Sequence, residues 1–465
     1  MKELNNCNMT IVYHDNKSYA FDYIQYEMIQ LDENKKRIFE TLISKKTLPT
    51  DFENKKDLID VVKIIKSGYF FSEKPIILYA DDNIKKSVII SFPIVHACNL
   101  KCKYCFAKSG TIYQGKNKLI SVELINKIFN NLPDIFGQKP EYVRIEFVSG
   151  GETLLEQDVY KKIVSHITKI ASDMKIDVSI FSLTNGTLLN HHIIDFINMN
   201  NSMLGISIDG PKDLHDYHRP FKDGEGSYDI VTKNICDIQD HNKSNNIYTV
   251  SVVTSKTKSL VEILNHNKNL GIKSMEMRIV RGEDDYGLSV SQGNINHYKL
   301  LYHEFAEYLK MKPDDLMFII NDYDTFGKLV KRLLVGEKVI YRCQAGRNKM
   351  SFTADGDIYP CDSFVGHKEY MIGNIYEMNL NVELRDRFIY ADVDHNDKCR
   401  NCAYRYLCGG DCYYNSAMNG HSMLMCSLKQ YLCETAIDLV WFIKNTYPEE
   451  YKKYVSFAKL RYVIK

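Results

Sequence analysis

The sequence predicts an α/β fold: six βα units forming an open parallel sheet or partial barrel, a small α+β module in front and a cysteine-rich region behind. Two observations lead there. Between residues 88 and 280, apolar or β-branched runs alternate with amphipathic helical stretches, as in a parallel sheet with crossover helices. The 13 cysteines also form two islands, three between Cys98 and Cys105 and eight between Cys343 and Cys433. That distribution marks discrete sites and not a disulfide framework.

A chain of 465 residues suggests two or three domains, and 45% hydrophobic content supplies their cores. The net charge of +1 gives no electrostatic reason to expect a nucleic-acid or membrane partner. The N-terminus, "MKELNNCNMT", has no apolar targeting core. The longest apolar run, "VIISFPIV", is far short of the ~20 residues that span a bilayer. The expected compartment is therefore the cytosol, where clustered thiols more often bind metal than pair. Outside the islands, Cys7 and Cys236 read as ordinary thiols.

Residues 1–80 form the first expected unit. "TIVYH", a turn at Asp15-Asn16-Lys17, "SYAFDYI" and "EMIQL" read as strands. Asp32 is placed to cap a helix with Ile38, Phe39, Leu42 and Ile43 on one face, and "DLIDVVKIIKSG" reads as a second helix ended by Gly68. The barrel is expected over residues 85–310. Its strands are "VIISFPI", "YVRIEFV", "DVSIFSL", "MLGISID", "IYTVSVV" and "SMEMRIV", and "VYKKIVSHITKIA" typifies the intervening helices. In such sheets ligands bind beyond the carboxyl ends of the strands. The unusual residues obey that rule: cysteines follow the first strand, "SGGET" the second, "TNGT" the third, and Asp209-Gly210 ends the fourth. Residues 311–340 read as a helical linker. Residues 341–465 hold the second island and a closing helix around "CETAIDLVWFIKNTY".

Three thiolates in eight residues underfill a structural zinc site, which takes four ligands. They suit a four-iron cluster that keeps one iron open. Spacing alone leaves open a zinc site completed by a remote histidine. Cys98-x3-Cys102-x2-Cys105, with Tyr104 before the last cysteine, resembles the signature of the radical S-adenosylmethionine (SAM) superfamily, and "SGGET" resembles its motif for the methionine amino group. The resemblance implies a TIM-like partial (β/α)6 barrel and a 4Fe–4S cluster on Cys98, Cys102 and Cys105 whose fourth iron chelates SAM. It further implies Gly150, Gly151 and Glu152 at the amino group, Tyr104 at the adenine, and Ser207 and Asn185 at the carboxylate and ribose. Arg219, in "HDYHRP", reads either as a carboxylate partner or as a surface arginine.

Cys399-x2-Cys402-x5-Cys408-x3-Cys412, preceded by Cys343-x12-Gly356-x4-Cys361 and followed by Cys426, resembles the SPASM extension with two auxiliary 4Fe–4S clusters. By that resemblance Cys399, Cys402, Cys408 and Cys426 hold one cluster. Cys343, Cys361 and Cys412 hold the other, which has no obvious fourth cysteine. Cys433, seven residues beyond Cys426, competes with it, and Cys426 is preferred because a continuous amphipathic helix follows it. "DGDIYPCDSFVGHKEYMIGNI" resembles a stretch of anaerobic sulfatase-maturing enzymes and peptide maturases, which implies that Asp362 is a base. "NKSYAFDYIQYEMIQLDE" looks like the leader-recognition region of maturases of ribosomally made peptides (RiPPs). The expected function is a radical SAM/SPASM oxidoreductase that modifies a precursor peptide, expected to be Cys-rich, through a thioether crosslink. A small electron-transfer protein such as flavodoxin or ferredoxin would reduce it. The alternatives are formylglycine formation on a sulfatase and, outside enzymes, a zinc-stabilised peptide-binding adaptor.

Overall fold

A computed structural model describes residues 8–45, 47–49, 55–66, 70, 86–109, 118–148, 150–241, 246–281, 286–419 and 423–463. Cys7, Gly68 and Ser149 lie outside these residues.

An antiparallel three-stranded sheet comes first, β1 (Met9–His14), β2 (Lys17–Asp22) and β3 (Met28–Leu31), with β2 central. Helix Glu33–Lys45 follows, and Asp32 caps it by accepting the Lys35 N–H at 2.8 Å. The sheet is amphipathic on both sides. Ala20 and Leu31 pack with Ile38, Phe39 and Leu42 of that helix, whereas Val12, Tyr19 and Phe21 enter a core shared with helices Ile295–Met311 and Met423–Thr446.

The large sheet has nine strands. Six run parallel in sequence order: β4 (Ser87–Ser91), β5 (Tyr142–Phe147), β6 (Asp177–Thr184), β7 (Met203–Ser207), β8 (Ile247–Val253) and β9 (Met275–Ile279). They match the six strands read from the sequence. The sheet then continues past β4: β10 (Lys349–Phe352) pairs parallel to it, and β11 (Asp357–Tyr359) and β12 (Gly373–Asn374) follow antiparallel. The second cysteine island is thus joined to the barrel by backbone hydrogen bonds. Residues 311–340, read in sequence as a connection, contribute to the core: helix Gly327–Val335 buries Leu329, Val330, Leu333 and Leu334 beside helix Met423–Thr446. That closing helix begins three residues before Cys426, where the sequence reading had started it.

Parallel strands are usually apolar on both faces. Here Val143, Ile145 and Phe147 of β5 face the helices, while Tyr142, Arg144 and Glu146 alternate with them and point into the barrel. Glu276 and Arg278 of β9 repeat the pattern against Met275, Met277 and Ile279. The barrel therefore has a polar lumen.

Candidate active site

Four loops meet at the carboxyl rim. The cysteine loop after β4 is pinned on one side by the segment after β7: Lys101 N–H donates to Pro220 O at 2.8 Å and Lys103 N–H to His218 O at 2.9 Å. On its other side Asn185 donates to Asn99 Oδ1 at 2.8 Å and lies 3.8 Å from Cys98 Sγ. Gly151 sits so close to this loop that an added Cβ would be 2.0 Å from Val95 O, and Gly150 has φ +87°, so both positions demand glycine. Ser207 is buried at the end of β7.

Glu152 is buried, and its carboxylate is committed to the loops. It accepts N–H groups from Leu154 at 2.9 Å and Asn185 at 2.7 Å and the Thr184 hydroxyl at 2.5 Å. Burial raises its pKa against those bonds. Tyr104 donates its hydroxyl to Asp209 Oδ2 at 2.5 Å.

Arg219 is a carboxylate partner and not a surface residue. It is 6% exposed and grips fully buried Asp209 through Nε at 3.0 Å and Nη2 at 3.2 Å. Burial alone would raise the Asp209 carboxyl, but Arg219 and His218 outweigh it and hold the group well below the usual carboxylate range. His215 completes this floor, accepting the Asp209 N–H at 3.3 Å and lying 3.0 Å from Ser227 Oγ. Burial pushes its pKa down to about 4. The unfolded chain takes up this proton near pH 6.5 and the native state does not. Stability present above pH 6.5 should therefore fall toward pH 4, losing ~2 kcal/mol between pH 7 and pH 5. Denaturant midpoints at the two pH values check this, and His215→Asn should flatten the dependence.

The thiols form three sets. Cys98, Cys102 and Cys105 are mutually close enough for their charges to act on one another, and burial pushes the Cys98 thiol up to about 11. Cys343, Cys361 and Cys412 interact likewise. Cys399 feels Cys408, Cys426 and Cys402, and Cys426 feels Cys408 and Cys402. Cys433 lies two helical turns beyond Cys426, fully buried in the apolar core, and feels Cys408 and Cys402.

These sets fit iron–sulfur clusters better than single ions. Thiolates at ~2.3 Å from one tetrahedral zinc stand ~3.8 Å apart. Among the described residues no three cysteine sulfurs lie within 4.8 Å of one another. The charges agree. Buried Lys328 is held well below its usual pKa by burial and by Arg342, Arg332, Arg281 and Lys429. Such a group of cations around cysteines is stable when anionic thiolates or clusters face it. Two of these cations also grip the cysteine loop itself: Arg332 donates to Leu407 O at 2.7 Å, and Arg342 to Cys408 O at 3.3 Å. Arg281 lies 3.8 Å from Cys412 Sγ; burial would raise that thiol, but Arg281, an Asn415 backbone bond and Arg342 lower it.

The lumen reaches the Cys343 set. Lys349 of β10 bridges Glu146 at 2.8 Å and Asp362 at 2.9 Å, and Arg144 pairs with Glu146 at 2.9 Å. Arg278 pairs with Glu276, and Arg144 lies 3.5 Å from the Phe181 ring centroid. Burial would raise Asp362, but Lys349 holds it below its usual range, so it is ionised near neutrality. Sequence reasoning missed this chamber, although polar residues at every second position in two parallel strands were a signal for it.

The family model of the radical SAM superfamily matches residues 92–266. The chain belongs to that superfamily. A second family model, described as an iron–sulfur cluster-binding domain and called SPASM, matches residues 343–403. This radical SAM enzyme is similar to the cysteine-type anaerobic sulfatase-maturating enzyme of Clostridium novyi, with 27% identity covering 70% of this chain and 88% of the relative. It is also similar to the serine-type enzyme of Bacteroides thetaiotaomicron, with 27% identity covering 70% and 81%. The fold matches the solved structure of native anSMEcpe with bound AdoMet, at TM-score 0.62 and 20% identity, covering 77% of this chain and 100% of that one. Membership of this enzyme superfamily sets aside the zinc-stabilised adaptor.

Proposed function

We propose that this radical SAM/SPASM enzyme is a peptide maturase that abstracts hydrogen from a ribosomally made precursor and closes a Cys thioether crosslink. The observation that carries the reading is the three-cysteine set Cys343, Cys361 and Cys412, beside which Lys349 of the polar lumen holds Asp362. We assign Cys98, Cys102 and Cys105 to the cluster that binds SAM, and Cys399, Cys402, Cys408 and Cys426 to a closed auxiliary cluster. Cys426 is chosen over Cys433 because it is half-buried and acts on Cys399 as well.

When bound and reduced, SAM supplies a 5′-deoxyadenosyl radical. The chain's own residues do the rest. Gly150 and Gly151 let the backbone approach the nucleotide, and Glu152, with one lone pair uncommitted, receives its ammonium. Tyr104, Asn185 and Ser207 border the adenine, ribose and carboxylate. The paired charges of the lumen hold peptide amides in place of water. Asp362, ionised beside Lys349, is placed to accept the proton a substrate thiol or hydroxyl must lose. The one electron left when the carbon radical and the thiolate join would pass to the cluster that Cys343, Cys361 and Cys412 would hold. The outer strands of the β1–β3 sheet offer backbone for a leader strand, and tethering there raises the core peptide's local concentration. A small reducing protein such as flavodoxin or ferredoxin would supply electrons.

Formylglycine formation is the second reading, favoured by the names of the relatives and by anSMEcpe having been solved with AdoMet and the Kp18Cys peptide. Anaerobic co-expression with a cysteine-containing candidate peptide separates the two. Thioether closure should remove two hydrogens and leave a cysteine resistant to alkylation; a product that reacts with carbonyl reagents would establish the second reading instead. Deleting residues 1–80 should weaken peptide binding while SAM cleavage persists, and unchanged affinity would refute leader capture.

A further inference from the structure

We propose that His14, Asp15 and His303 form a binding site for one zinc ion, which clamps the N-terminal sheet to the body of the enzyme. His14 ends β1, and Asp15 opens the two-residue turn to β2, where φ values of 47° at Asp15 and 61° at Asn16 make a tight hairpin. That turn holds the carboxylate over helix Ile295–Met311, which carries His303.

The three ligand atoms lie within 4.8 Å of one another. Asp15 Oδ2 is 3.4 Å from His14 Nε2 and 3.2 Å from His303 Nδ1. Ligands ~2.0–2.1 Å from a tetrahedral zinc are separated by ~3.3–3.4 Å, so the spacing matches with little movement. The orientation matches too. His14 Nε2 and His303 Nδ1 are buried, and among the described residues neither makes a hydrogen bond, despite the nearby carboxylate. Two such nitrogens are costly to leave unpartnered; both converge on a point that a shared cation would satisfy.

The surroundings favour a metal. The His14 side chain is 2% exposed, so its ring nitrogen is shielded from competing solvent. The nearby Lys310 is neutralised by its pairs with Asp438 and Glu307. Asp15, 38% exposed, leaves the fourth position open to water. Two imidazoles and one carboxylate, without sulfur, suit zinc and set this site apart from the cysteine sets.

This inference is independent of the peptide reading. The test uses the full-length enzyme, reconstituted anaerobically with its clusters, freed of loose metal on a chelating resin and dialysed against micromolar zinc. Wild type should retain one equivalent of zinc more than His303→Gln and Asp15→Asn, with equal iron content in all three. Zinc should also raise the thermal midpoint of wild type alone. Equal zinc retention by the three proteins, or none by any, would overturn the proposal; equal iron content establishes that the variants are folded.

Discussion

Alanine at Cys98, Cys102 and Cys105 together should reduce 5′-deoxyadenosine formation to background and lower bound iron by about a third, if all three clusters are cubes. The auxiliary cysteines lie on other elements, between Cys343 and the helix Met423–Thr446, so their iron should remain. The protein should stay brown and folded, because backbone bonds from Lys101 and Lys103 to the segment after β7 hold the loop without its thiols. Iron analysis with chromatography of the SAM products reads both effects. Cleavage surviving in the triple variant would contradict the assignment of this loop.

Asp209→Ala should be the most damaging single substitution beneath the site. It leaves the Arg219 guanidinium buried without its bidentate partner, at a cost of ~3–5 kcal/mol. Since Arg219 belongs to the segment that fastens the cysteine loop, stability and cluster retention should fall together. The tyrosine hydroxyl at position 104 loses its acceptor in the same step. Adding Arg219→Met should recover much of the stability, because it removes the stranded charge. A double variant no more stable than Asp209→Ala, judged by denaturant midpoint, would show that the ion pair is not the cause.

The local signals carried far. Alternation of strands and helices located all six parallel strands, and spacing marked the two cysteine islands. These are short-range patterns, imposed by pleat, helical repeat and loop length. The grouping of Cys412 with Cys343 and Cys361, which lie close enough in the fold to act on one another, came from family resemblance and not from spacing. What stayed hidden was non-local. Arg219 lies in a loop, and nothing near it in sequence states that its partner lies just past β7, ten residues earlier. Lys349 meets Glu146 across 203 positions, because β10 pairs with β4, and no periodicity announces that pairing. His303 and Asp15 likewise share a site only through packing of distant elements. The resemblance implied a site role for the Glu152 carboxylate, but its three protein donors were not legible.

The pairing of β10 with β4 also shapes how the molecule is born. Met350 faces Ile90, 260 positions earlier, and ribosomes add ~5–20 residues each second, so the first barrel strand waits roughly 13–50 s for its neighbour. During that interval its margin is an unpaired ladder beside an apolar face, which invites pairing with other chains. Fragments ending before residue 349 should therefore aggregate, whichever cysteines they contain. Successful synthesis depends on shielding that margin until about three quarters of the polypeptide has emerged.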